Sequence, residues 1–140
     1  MTSEEKKIKN IIDKIVVDCV NNEAHLLGKP KSLVTIDQLS DKRRYRERVL
    51  SRQICIYLCE FIFNDILRNN LSREYVGALY DKDHATVTHS LKTIKNYQDT
   101  SKQILRMTAH CIESVLMEID NGEIFLSVGL PYCMLYPAYN

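Results

Sequence analysis

Apolar residues recur at intervals of three and four along most of this chain, and short polar breaks divide the pattern into separate stretches. Ile8, Ile11, Ile12, Ile15, Val16, Cys19 and Val20 form the first stripe, with Lys and Asp on the other face. This spacing predicts an amphipathic helix. It is expected to end near Asn21 and Asn22, with residues 1–7 frayed ahead of it. Gly28 to Lys31 reads as a turn, and residues 34–39 as a short helix or turn. Ser40 or Asp41 then caps one long helix over residues 41–68. Its second half is apolar, from Ile54 and Ile56 through Phe61 to Leu67.

Asn69 to Ser72 breaks that helix, and Ser72 caps a short one from Arg73 to Leu79. Gly77 is expected to close it, and Tyr80, Asp81 and Lys82 make a corner. Asp83 sits where an N-cap belongs, its oxygen accepting from N–H groups that have no partner within the helix. Val87, Leu91 and Ile94 form the inward stripe of the helix that follows, which runs to about Tyr97. Asp99 to Ser101 offers a break and a new cap. Ile104, Cys111, Val115 and Ile119 mark a further amphipathic helix over residues 101–119, stopped by Asn121 and Gly122. The tail from Glu123 to Asn140 carries no charge after its first residue and is too short and broken to span a membrane. So apolar a segment must cover something. Packing on its own domain is the default, and a homodimer contact through the tail is the alternative.

These elements predict an all-α fold: a helix-turn-helix bundle of five to six helices, with a long basic helix before the turn and an apolar extended tail. The length fits one domain over residues 1–140. Its parts are the N-terminal helix with its lead-in at 1–40, the basic helix and helix-turn-helix at 41–99, and a further helix with the tail at 100–140.

Charge sharpens this picture. The chain as a whole carries a formal net charge of +1. Residues 41–106 hold thirteen basic and eight acidic side chains, whereas residues 107–140 hold no Lys or Arg and four acids. Six bases, Lys42, Arg43, Arg44, Arg46, Arg48 and Arg52, crowd against Asp41 and Glu47. Such crowding costs stability unless an anion relieves it, and a local basic face binds phosphates even on a near-neutral molecule. The five cysteines have no motif spacing, and no signal peptide precedes them, so a reducing cytosol is expected. Cys55 and Cys59 stand four apart but lack the second ligand pair of a structural zinc site, so no metal is expected.

Two blocks carry a family resemblance. Lys82, Asp83, His84, Ala85, Thr86, Val87, His89, Ser90 and Ile94 resemble the signature of the C-terminal DNA-binding domain of the bacterial replication initiator DnaA. The run from Lys42 to Gln53 resembles the basic helix that precedes the turn in that domain. The likeness is good from about Lys42 to Ile94 and absent after about Asp99. It implies sequence-specific binding of double-stranded DNA, in replication initiation or its regulation, or in a transcriptional or mobile-element regulator. Arg44 aligns with the arginine that enters the minor groove, where narrow A·T-rich segments concentrate negative potential. Asp83, His84, Ala85 and Thr86 would meet base edges in the major groove, as the first residues of a recognition helix do. Lys42, Arg43, Arg46, Arg48, Arg52, Arg73, Lys82, His89 and Lys92 are the phosphate candidates, which fix register without reading sequence.

The chain also departs from the pattern. Ala85 replaces Ser or Thr, keeping a methyl for thymine and losing a hydroxyl. Tyr80 replaces an aliphatic residue or Phe. The segment between the basic helix and the short helix is longer by about six residues, counted from the sequence. No Gly-x-x-x-x-Gly-Lys-Ser/Thr motif is present, so no P-loop, bound nucleotide or other cofactor is expected, and the module reads as standing alone without an ATPase. The alternative function is a protein-interaction module that keeps the fold without specific DNA readout. An enzyme is not expected, because His84 and His89 lie about 140° apart around their helix and do not converge.

Overall fold

A computed structural model describes residues 1–120, and the predicted tail lies outside them. The described residues form five α-helices, α1 Ser3–Leu26, α2 Arg46–Cys59, α3 Arg73–Ala78, α4 His84–Thr100 and α5 Lys102–Asp120, with a 3-10 turn at Ile36–Ser40. The all-α class is as expected from the periodicity. α2 runs through the middle, packed by α1, α4 and α5. Ile12 and Val16 of α1, Ile54 and Leu58 of α2, Val87 and Ile94 of α4 and Val115 of α5 are all fully buried in one cluster.

α1 is longer than expected at both ends. Residues 3–7 are helical rather than frayed, because Thr2 Oγ1 accepts from Glu5 N–H at 3.0 Å while Thr2 N–H donates to Glu5 Oε1. That reciprocal pair satisfies two free donors at the helix start. Asn21 does not stop the helix either. It is buried, and its amide donates to Val34 O and accepts from Val34 N–H, both at 2.8 Å. The residue expected to end α1 instead ties the following loop to it. His25 lies exposed in the last turn of α1.

The long helix expected from Asp41 begins at Arg46. Asp41 acts on its own neighbourhood: Oδ1 accepts from Arg43 N–H at 2.9 Å and Oδ2 from Arg48 Nη1 at 2.6 Å. This local bond competes with helix, so Lys42, Arg43 and Arg44 lie on a bent lead-in outside it. At its other end α2 passes into a π-helical segment, Glu60–Ile66. A loop follows, with Arg68 and Asn70 at φ of 59° and 56°. Asn64 holds that loop by accepting from Leu71 N–H at 2.6 Å and donating to Leu71 O at 3.0 Å. The wide helical turns and this loop occupy the stretch that looked longer in the sequence.

Ser72 caps α3 as expected, accepting from Tyr75 N–H at 3.1 Å. Gly77 lies inside α3 rather than closing it, and the left-handed residue of the corner is Asp81, φ 55°. Gly77 serves close approach: a Cβ there would stand 2.6 Å from Lys82 O and 2.9 Å from Asp83 O. Ser101 then caps α5, its Oγ accepting from Ile104 N–H at 3.3 Å.

Candidate nucleic-acid interface

Asp83 caps α4, with Oδ1 accepting from Thr86 N–H at 2.9 Å. That bond holds its carboxyl below the ordinary range. His84 and Ala85 follow, both exposed, with Thr86 half-buried. Val87, Ser90 and Ile94 face the core, so the first turn of α4 is left open to solvent. α4 is thereby oriented end-on, with its polar start outward.

Across from this start lies the basic lead-in to α2. A groove of about 470 Å³ runs between them. Lys42, Arg44 and Arg52 line one wall, and Lys82, Ala85, Thr86 and His89 the other. Arg44 and the start of α4 therefore share one side of the molecule. A second groove of about 740 Å³ continues along α4 and shares Arg44, Val49, Gln53 and His89 with the first. Beyond them Arg46, Thr93 and Ser101 line it. Neither groove has an Asp or Glu among its lining residues.

One carbonyl holds the two walls together. Asp41 O accepts from Arg52 Nη1 at 3.1 Å and from Lys82 Nζ at 3.2 Å. Arg52 Nη1 also reaches Leu39 O at 3.3 Å. Arg52 is buried, only 8% exposed, and its Nε has no hydrogen-bond partner. Burial, then the charge of Arg44, lowers the Arg52 pKa. Burial, then the charge of Arg52, lowers that of Lys82. Cations pressed together in this way make a site of positive potential that an anion would relieve.

The other candidates divide. Lys42, Arg43, Arg44 and Arg46 are exposed, as are His89 and Lys92. Arg48 is paired with Asp41 and covers the Tyr45 ring at 4.6 Å, so its head is already engaged. Arg73 Nη1 donates to Thr88 Oγ1 at 2.9 Å, away from both grooves, and Lys92 also lines neither. Gln53, Val49 and Ser90 line the first groove but were not among the candidates. Val49 and Gln53 stand four apart, so one face of α2 presents both, a periodic signal that the charge run beside them obscured.

Four cysteines lie among the described residues. Cys55, Cys59 and Cys111 are buried and Cys19 half-buried. Burial raises the Cys59 thiol to about 12. No group of three His, Cys, Asp or Glu that could hold a metal occurs among the described residues, and no helix there is long and apolar enough to cross a membrane.

A short helix, a tight corner and a longer helix whose polar start faces a basic groove define a helix-turn-helix of the nucleic-acid-binding class. Residues 31–94 match the family model of the bacterial DnaA protein helix-turn-helix. The chromosomal replication initiator protein DnaA 2 of Chlamydia pneumoniae is 30% identical over 78 residues, 56% of this chain and 16% of that protein. The aligned stretch thus spans about a sixth of that relative's length. No solved structure matches the chain.

Proposed function

We propose that this chain binds double-stranded DNA sequence-specifically, in replication initiation or its regulation. Arg44 enters a minor groove while Asp83, His84, Ala85 and Thr86 meet base edges in the adjacent major groove. The carrying observation is the acid-free groove that sets Arg44 opposite Ala85 and Thr86. A phosphate backbone running through it meets Lys42, Arg52, Lys82 and His89 from both sides. Charge-assisted hydrogen bonds of this kind are short and strong. The methyl of Ala85 suits a thymine methyl, and Thr86 adds a hydroxyl; each good base contact is worth ~1–3 kcal/mol of discrimination.

Selection of bound sequences from a random duplex pool, followed by titration of the selected and a random duplex, tests this reading. A related set of enriched sites is expected, with affinity falling on added salt by a log–log slope of about −0.9 per phosphate contacted. Enrichment of no sequence, with equal affinity for all duplexes, rejects base readout. Absence of binding at low salt rejects DNA as the partner and favours a protein-interaction module.

A further inference from the structure

We propose that half-buried Lys9 and buried Asp13 and Tyr80 form a positioning network through which the N-terminal helix sets the angle of the DNA-reading helix. α1 lies wholly before residues 31–94, the segment that matches the DNA-binding family. It nevertheless reaches the corner of the helix-turn-helix through charged atoms. Asp13 is 1% exposed and Tyr80 is 0% exposed. Tyr80 Oη donates to Asp13 Oδ1 at 2.6 Å, and Lys9 Nζ stands 2.5 Å from Asp13 Oδ2. The same ammonium lies 4.7 Å from the centre of the Tyr80 ring, and Cys59 Sγ lies 3.3 Å from Tyr80 Oη. One phenol oxygen thus touches α1, α2 and the corner together.

A buried carboxylate is tolerated only when its oxygens are engaged. Here each oxygen has one partner from a different direction, so the pair of bonds fixes where Tyr80 can sit. Tyr80 is three residues before the cap of α4. Its N–H donates to Gly77 O at 3.0 Å, and that carbonyl also accepts from Lys82 N–H at 2.9 Å. Moving Tyr80 therefore moves Lys82 and the start of α4. An aliphatic residue or Phe would fill the space without this directional hold, because apolar packing is not directional. The inference rests on the DNA-binding reading for its functional half, and stands without it for its structural half.

The test compares Tyr80→Phe with Val17→Ala, a core truncation in α1 that leaves the side chains of Lys9, Asp13 and Tyr80 in place. Affinity is measured for the selected duplex and for a random one, alongside the amide resonances of Lys82 to Ala85. Tyr80→Phe is expected to lower affinity for the selected duplex by about tenfold while leaving the random duplex and the salt slope unchanged. The four amide resonances should shift. Val17→Ala should lose stability and keep the ratio between duplexes. Tyr80→Phe with Asp13→Asn, which removes the buried charge left by the first change, should regain stability without regaining the ratio. An unchanged ratio in Tyr80→Phe, or an equal drop in both single variants, overturns the proposal. Should the wild-type chain bind every duplex alike, the DNA-readout proposal fails by itself. The amide shifts then decide: unmoved resonances at Lys82 to Ala85 overturn the network, and shifted ones sustain it.

Discussion

Gly77 and Lys82 close on each other: Lys82 N–H donates to Gly77 O at 2.9 Å, and a Cβ on Gly77 would stand 2.6 Å from Lys82 O. The obstacle is backbone, which cannot rotate away as a side chain can. Gly77→Ala must therefore push α3 and α4 apart. A loss of about 1–3 kcal/mol is expected, the usual range for overpacking. Urea denaturation reads it, and discrimination between duplexes should fall in the same variant.

The two hydrogen bonds between Asn21 and Val34 tie α1 to the loop that follows it. Asn21→Ala leaves the N–H and C=O of Val34 buried without that partner. Each such group costs about 1–3 kcal/mol, so a large fall in thermal midpoint is expected. A shift no greater than that of an exposed control such as Lys14→Ala would refute this tie.

Arg52 and its exposed neighbours should separate in two measurements. Arg52→Ala removes hydrogen bonds to Leu39 O and Asp41 O, and a bond from a charged group is worth about 1.5–3 kcal/mol. Stability and DNA affinity should both drop. Lys42→Ala and Arg46→Ala should leave the thermal midpoint unchanged and reduce the salt slope by about 0.9 each. Destabilisation by Lys42→Ala, or none by Arg52→Ala, contradicts this division.

Acid should loosen the corner through Asp83. Its folded pKa lies below the ordinary 3.8 because Thr86 N–H bonds the carboxylate. Asp41 is lowered too, first by Arg43 N–H. For a depressed carboxyl the contribution is complete above the unfolded value and is lost as pH falls through the folded one. Midpoints should therefore hold near neutrality and fall below about pH 4. Asp83→Asn keeps an acceptor at the cap and removes one titration, so its acid slope should be shallower. Parallel slopes for wild type and variant would show that Asp83 takes no part.

The apolar stripes of α1, α4 and α5 were legible because each buries one face against a neighbour, and a half-wet helix writes its period into the sequence. The caps at Ser72 and Asp83 were legible because their bonds lie within three residues. The start of α2 was not. Asp41 is a good cap residue, and its choice of Arg43 and Arg48 over a helix start depends on where the chain has bent. Nor does an arginine in a basic run announce burial: Arg52 differs from Arg46 only in which carbonyls the fold brings near it. Asp13 read as a wet residue because its partner is 67 positions away. In the groove, Arg44 and the start of α4 were anticipated from the resemblance, whereas Gln53 carried no charge to draw notice.

The carbonyl of Asp41, shared by Arg52 and Lys82, makes the two walls of the groove behave as the jaws of a fixed caliper. Loops tethered separately would let each jaw settle on its own stretch of duplex. If duplex DNA lies in this groove as proposed, jaws joined at one oxygen impose a single gap, and a duplex whose backbone spacing departs from that gap must bend to fit or be released. On that reading, helical pitch and flexure would become selectable properties of a target, alongside the letters it spells.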